Sequence, residues 1–284
     1  MDMKIIDLKK TILEDNDKDA ELLRKETRAE RVCYLNVMSS PGSGKTSTIL
    51  ALLHAIGDRI SCGVMEADID SDVDAKTVYE AGYPSVQLHT GGMCHLDAQM
   101  SRQGMKALYE AAESMGRKKP ELVILENVGN LVCPAEFDTG SDLNLVILSV
   151  PEGDDKPLKY PLMFEKADLV VINKMDSLPA FDFDLKKCEA NIRLRNEKAC
   201  IFPISARTGE GISELAEADL VVINKMDSLP AFDFDLKKCE ANIRLRNEKA
   251  CIFPISARTG EGISELAEKI TEHVRERLAE GKEK

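Results

Sequence analysis

The chain has 284 residues, of which 43% are hydrophobic and 31% charged, and it carries a formal net charge of −12. It can bury a core, while its acidic balance repels nucleic acid and anionic lipid and excludes both as electrostatic partners. No apolar run approaches the roughly 20 residues needed to cross a bilayer, and the charged N-terminus lacks a signal peptide's apolar core, so a cytoplasmic protein is expected.

In chain order, residues 10–30 read as an amphipathic, charged helix, a lead-in (1–30) ahead of a domain covering 31–284. Strand-like runs then alternate with helical ones: VCYLNVM (32–38), SCGVME (61–66), SVQLHT (85–90), ELVILEN (121–127), NLVILSV (144–150), LVVINK (169–174) and CIFPIS (200–205). Helical stretches such as TSTILALLHAIG (46–57) and LDAQMSRQGMKALYEAAESMG (96–116) lie between them. This alternation predicts an α/β fold, a mostly parallel sheet with helices on both faces and ligands beyond the carboxyl ends of the strands. Eight cysteines are too sparse for a disulfide scaffold, and Cys33, Cys62, Cys188 and Cys200 are expected in the core.

Residues 167–217 return verbatim as 218–268. Two identical copies in an otherwise non-repetitive chain read as a recent tandem duplication or an artefact, not as a solenoid, whose many units drift in sequence. The block contains no glycine-rich loop and no candidate metal ligand, so it adds no second active site. It competes instead for one slot in the sheet. The first copy follows PLKYPLMFEK without interruption and is expected to take that slot, while the second retains a full final helix with Ile263, Leu266, Ile270, Val274 and Leu278 along one face.

Ser39-Ser40-Pro41-Gly42-Ser43-Gly44-Lys45-Thr46 follows a strand and opens a helix, the context of a P-loop. Gly42, Ser43, Gly44 and Ser47 are expected to cradle phosphates with backbone N–H groups, Lys45 to reach β/γ oxygens and Thr46 to ligate Mg²⁺. The strict pattern has glycine at position 39, where this chain has serine. Asn173-Lys174-Met175-Asp176 matches the guanine-reading N-K-x-D, because an aspartate carboxylate accepts from guanine N1 and its amino group while adenine lacks that donor pair. With Ser205-Ala206 downstream, GTP is favoured over ATP. The duplicate offers Asn224, Lys225, Asp227, Ser256 and Ala257.

Cys94 and His95 open the long helix region, and Cys133 follows the next strand. Thiolate and imidazole suit Zn²⁺ and Ni²⁺. Three ligands leave a site open to solvent or completed by a second subunit. The alternative is a pair of buried thiols beside a helix cap.

The motifs SSPGSGKT, CHLDAQ, ENVGNLVCP, EGDDKPLKYP and NKMD, in this order, resemble the HypB family of hydrogenase nickel-incorporation GTPases. The similarity covers about residues 20–284 with the second copy set aside. The resemblance implies a SIMIBI-class P-loop fold, GTP hydrolysis with Mg²⁺, a GTP-dependent homodimer, and a Ni²⁺ or Zn²⁺ site at its interface made by Cys94, His95 and Cys133. It implies hydrogenase maturation proteins and the hydrogenase large subunit as partners. It also places Asp68 near Mg²⁺ as a switch residue and Glu126 where other GTPases have the Walker B aspartate. Two family features are missing, an N-terminal C-x-x-C-G-C site and a histidine-rich tail: the first cysteine is Cys33, and the histidines are His54, His89, His95 and His273. Two other readings are a metal-binding module whose GTPase cycle the duplication impairs, and a related chaperone for another metal enzyme.

Overall fold

The computed structural model describes residues 8–69, 71–216, 221–223 and 252–254. They fall into two compact units divided between Ile212 and Ser213. The first unit begins with α1 (Leu8–Ala29), β1 (Cys33–Ser39), α2 (Lys45–Ile56), β2 (Cys62–Asp68), α3 (Val73–Glu80), β3 (Ser85–His89) and α4 (Ala98–Ser114). It continues through β4 (Leu122–Glu126), α5 (Cys133–Glu136), β5 (Leu143–Ser149), α6 (Lys156–Lys159), α7 (Pro161–Glu165), β6 (Leu169–Asn173), α8 (Leu185–Arg195) and β7 (Cys200–Pro203).

The seven strands form one sheet in the order β3-β2-β4-β1-β5-β6-β7, and every neighbouring pair is parallel. This is the mostly parallel α/β sheet expected of a P-loop protein. Strand side chains alternate between faces. Tyr34, Met65, Val123 and Leu125 pack with Leu23 of α1 and Met105 and Leu108 of α4. Further along the same face, Met38, Val146, Leu148, Val170 and Ile172 pack with Met163 and Phe164 of α7 and Cys188 and Ile192 of α8. The alternate residues Leu35, Val37, Ile124, Leu145 and Ile147 are equally buried, as are Ile49, Leu52 and Leu53 of α2. Each fully buried Leu or Ile contributes about 1.5–3 kcal/mol.

Polar residues bridge the two clusters. Asn127 Nδ2 donates to Asn36 Oδ1 at 3.1 Å, and Asn36 Nδ2 donates to Asn144 Oδ1 at 2.9 Å. The chain of amides crosses β4, β1 and β5 inside the core, and such a buried network is stabilising only because each member is paired. α1 lies against this unit through Asn16, Ala20, Leu23 and Thr27, all buried. Their spacing of four, three and four residues makes one helical stripe.

The first copy of the repeat occupies the sheet as β6 and β7. In the second unit, β8 (Val221–Ile223) and β9 (Ile252–Pro254) form a separate two-stranded parallel sheet. Its register, Val221↔Ile252 to Ile223↔Pro254, repeats that of Val170↔Ile201 to Ile172↔Pro203 in the first copy. The long final helix expected of the second copy lies outside the described residues.

Two cysteine expectations need correction. Cys62 and Cys188 are buried, but Cys200 is exposed and Cys33 half-buried. Both stand at the first position of a strand, and Cys200 begins the edge strand, where the apolar run has already left the core.

Candidate functional site

The carboxyl ends of β1, β2 and β4 meet at a cavity of about 640 Å³ lined by Gly42, Gly44, Lys45, Thr46, Ser47, Glu66, Asp68, Glu126, Gly129 and Lys174 among others. The P-loop turns into it at Gly42 and Gly44, whose φ angles are +76° and +93°. Gly44 is the N-cap of α2, so the helix's unpaired N–H groups open onto the cavity. A Cβ on Gly44 would lie 2.5 Å from Asn173 Nδ2, so only glycine fits there.

Ser39, the departure from the strict pattern, is fully buried. Its Oγ accepts from Lys45 Nζ at 3.1 Å and from Ser43 Oγ at 2.7 Å, and donates to Ser40 O at 2.7 Å. The substitution therefore supplies a hydroxyl that orients Lys45. The Lys45 ammonium lies 4.0 Å from Glu126 Oε1, which also accepts from Thr46 Oγ1 at 3.1 Å.

Glu126 is paired in register with Glu66 of β2. Burial pushes the Glu66 carboxyl far above the usual carboxylate range, and the neighbouring Glu126 pushes it further. Burial also raises Glu126, to about 6, against the opposing pull of Lys45 and of the hydrogen bond from Glu66. Glu66 thus holds a proton that Glu126 accepts. Glu66 Oε1 and Glu126 Oε2 are buried without a hydrogen-bond partner. A buried acid pair with orphaned oxygens beside a threonine hydroxyl and a lysine fits a divalent cation carried in with a nucleotide's phosphates. Glu66 escaped the sequence reading, which singled out Asp68 alone. The period of two places Glu66 and Asp68 on one face of β2, and that spacing was its available signal.

The Asn173-Lys174-Met175-Asp176 segment of the first copy is tied to the P-loop. Asn173 Nδ2 donates to Ser43 O at 2.9 Å, while its Oδ1 accepts from Lys174 N at 2.7 Å and Ala206 N at 3.0 Å. Lys174 Nζ donates to Gly42 O at 2.7 Å. Ser205 Oγ donates to Asp176 Oδ1 at 2.6 Å, and Arg207 lies 3.8 Å from Asp176 Oδ2. Asn173, Lys174, Asp176, Ser205 and Ala206 are therefore brought together, next to Gly42 and Ser43. Asn224, Lys225, Asp227, Ser256 and Ala257 lie outside the described residues.

From Glu126 the chain runs directly to the thiols. Asn127, wholly buried, accepts from Val128 N at 2.9 Å. Gly129 passes so close to the P-loop that an added Cβ would be 3.2 Å from Pro41. Asn130 Oδ1 accepts from Val132 N at 2.7 Å and Cys133 N at 3.3 Å, and its Nδ2 lies 3.7 Å from Cys133 Sγ. Cys133 is raised above the usual thiol range, first by a hydrogen bond that its thiol donates to Cys94 and then by burial, which puts the two thiols within hydrogen-bonding reach. His95 is not with them. Its ring stacks on Phe137 with centroids 3.6 Å apart and an interplanar angle of 13°, and its Nδ1 is buried without a partner. Burial lowers its pKa against the opposing pull of Asp97 and Glu136, which favours the neutral imidazole. Among the described residues no three His, Cys, Asp or Glu side chains gather into one ligand group.

A family profile for the CobW/HypB/UreG nucleotide-binding domain matches residues 34–203. The chain belongs to this family. Within it, relatives of the chain include HypB proteins: the hydrogenase maturation factor HypB of Rhizobium leguminosarum bv. viciae is 44% identical over 209 residues, 74% of this chain and 68% of that one. That of Escherichia coli K12 is 41% identical over 211 residues, covering 74% of this chain and 70% of the relative. Among solved structures, HypB from Helicobacter pylori in complex with nickel superposes with a TM-score of 0.67 at 36% identity, covering 72% of this chain and 93% of that chain. The Archaeoglobus fulgidus hydrogenase maturation factor HypB gives 0.64 at 35% identity, over 72% and 97% of the two chains. The HypB-type motifs thus sit on a HypB-type fold.

Proposed function

We propose that the chain is a GTP-hydrolysing metallochaperone that delivers nickel during [NiFe]-hydrogenase maturation. One observation carries this reading: residues 126–133 link a carboxylate on the nucleotide cavity to a thiol in contact with Cys94. The names of the HypB relatives and the nickel in the Helicobacter pylori structure supply the chemistry. Lys45 and the N-terminus of α2 neutralise the phosphates, and the Asp176 carboxylate reads guanine. Thr46, Asp68 and Glu126 hold Mg²⁺, which supplies charge for phosphoryl transfer. Because Gly129 abuts Pro41 and Asn130 caps the turn holding Cys133, a shift at the γ-phosphate end of the P-loop moves the thiol.

Cys94 and Cys133 take nickel or zinc as cargo, with His95 joining once its ring leaves Phe137. Met93 and Val132 beside them are 40% and 50% exposed, which suits a GTP-dependent homodimer that completes the coordination. Hydrogenase maturation proteins and the hydrogenase large subunit receive the metal. No helix among the described residues is long and apolar enough to cross a membrane, and a cytoplasmic setting fits this role. The first copy's anchoring to the P-loop supports a working cycle over one impaired by the duplication.

The test is nickel titration of the full chain in GDP and in a non-hydrolysable GTP analogue, with light scattering to follow dimerisation. Nickel affinity and dimer fraction are expected to differ between the two nucleotides. Identical affinities would reject the coupling, and undetectable GTP hydrolysis would reject the enzyme.

A further inference from the structure

We propose that Asn16 of α1 is a positioning residue for the thiol site, setting the separation of the two segments that carry Cys94 and Cys133. The proposal rests on the reading of those thiols as the cargo site. Asn16 is 8% exposed, in a helix whose composition otherwise looks like solvated surface. Its amide is used at both ends. Nδ2 donates to the carbonyl of Asp138 at 2.9 Å, and Oδ1 accepts from the backbone N–H of Ala98 at 3.0 Å.

Ala98 is the first residue of α4, just beyond Cys94 and His95, and its N–H is one of the donors a helix start leaves unpaired. Asp138 follows α5, which begins at Cys133. One side chain therefore bridges the segment of one thiol to the segment of the other. Asp19 of α1 accepts from Gln99 at 2.8 Å on the first side, while Arg24 donates to Ser141 O at 2.9 Å and pairs with Asp138 on the second. These flanking bonds fix α1 at both segments, so Asn16 cannot follow one without the other. The stack of His95 on Phe137 lies between the same two segments. A change in the spacing Asn16 imposes is thus transmitted to both thiols and to the imidazole.

Supporting residues around a metal site that hold its ligands in place are worth roughly 10- to 100-fold in metal affinity. The experiment uses the full chain with Ni²⁺ alone, titrated against a competing chelator, for the wild type, Cys94→Ala, Asn16→Ala and Asn16→Asp. Guanine nucleotide affinity and the thiolate-to-nickel charge-transfer band are recorded in parallel. Asn16→Ala is expected to weaken nickel binding at least about tenfold and to weaken the charge-transfer band, with nucleotide affinity unchanged. Asn16→Asp keeps the acceptor for Ala98 but loses the donor to Asp138, so an intermediate loss is expected. If Cys94→Ala binds nickel as the wild type does, the cargo site itself is wrong and the proposal falls with it. If Cys94→Ala loses nickel but Asn16→Ala does not, the site stands and the positioning role is overturned. Parallel losses of nickel and nucleotide affinity in Asn16→Ala would make Asn16 a general folding residue, which also overturns the proposal.

Discussion

Replacing Asn173 by alanine removes the amide that joins the P-loop, Lys174 and Ala206 through three hydrogen bonds. Asn173 is 2% exposed, and Ser43, one of its partners, is wholly buried. A buried group left unmatched costs about 1–3 kcal/mol. With the Ser43 carbonyl buried and the Ala206 N–H half-buried, the sum is about 2–4 kcal/mol, which at 2–4 °C per kcal/mol lowers the thermal midpoint by about 4–16 °C. Guanine nucleotide affinity should fall at least about tenfold, equivalent to 1.4 kcal/mol, because Gly44 and Lys174 lose their common support. The identical substitution in the second copy, Asn224→Ala, should change neither quantity, since the slot beside β5 is taken by β6. Calorimetry and titration with a fluorescent GDP analogue read both. Equal losses from the two substitutions, or a silent Asn173→Ala, would refute the assignment of the guanine-reading role to the first copy.

Other consequences concern the guanine contact, the acid pair and the stacked imidazole. Asp176→Asn places an amide donor against the guanine N1–H and amino group, so GTP should bind at least about tenfold more weakly, while a xanthosine nucleotide, which offers an acceptor there, should lose less. Equal weakening of both would contradict base reading by Asp176. Glu126 is raised to about 6 in the folded chain from an ordinary 4.5, so the folded state keeps a proton that the unfolded chain releases first. The associated stability is full below about pH 4.5 and is lost as pH rises toward 6, by about 2 kcal/mol at 1.36 kcal/mol per unit. In nucleotide-free protein the thermal midpoint of wild type relative to Glu126→Gln should therefore decline across that window, and a rising difference would overturn the sign. Phe137→Ala removes the ring on which His95 lies. A stacked aromatic pair is worth about 0.5–1.5 kcal/mol, so nickel affinity should rise about two- to tenfold if His95 must leave that ring to act as a ligand. Unchanged chelator competition would remove His95 from the ligand set.

The sheet was legible because apolar runs of the right length alternate with helical periodicity, and the phosphate loop because positive φ at Gly42 and Gly44 demands glycine. The strands ahead of Cys94 and Cys133 read as neighbours in the sequence, but β2 lies between β3 and β4, so the loops beyond the strands bring the two thiols together. The supporting asparagines were not legible. Asn16 lies among Asp, Lys and Glu in a helix, and its partners stand 82 and 122 residues away. Asn36 and Asn127 sit inside strand-like segments, where a single amide gives no hint that it finds another across the sheet. His95 adjoins Cys94 in sequence, yet ring stacking with Phe137 competes with ligation, and spacing cannot show which wins.

The register shared by β6–β7 and β8–β9 shows that the pairing instructions lie within the 51-residue block itself. A half-domain that carries its own strand pairing can be copied in one step without scrambling the original. The first copy stays under the constraint of the nucleotide site, because its residues touch the P-loop. The second has no phosphate loop to satisfy. It is raw material in the evolutionary sense, a sequence open to drift or recruitment while the first copy keeps its ties to the P-loop.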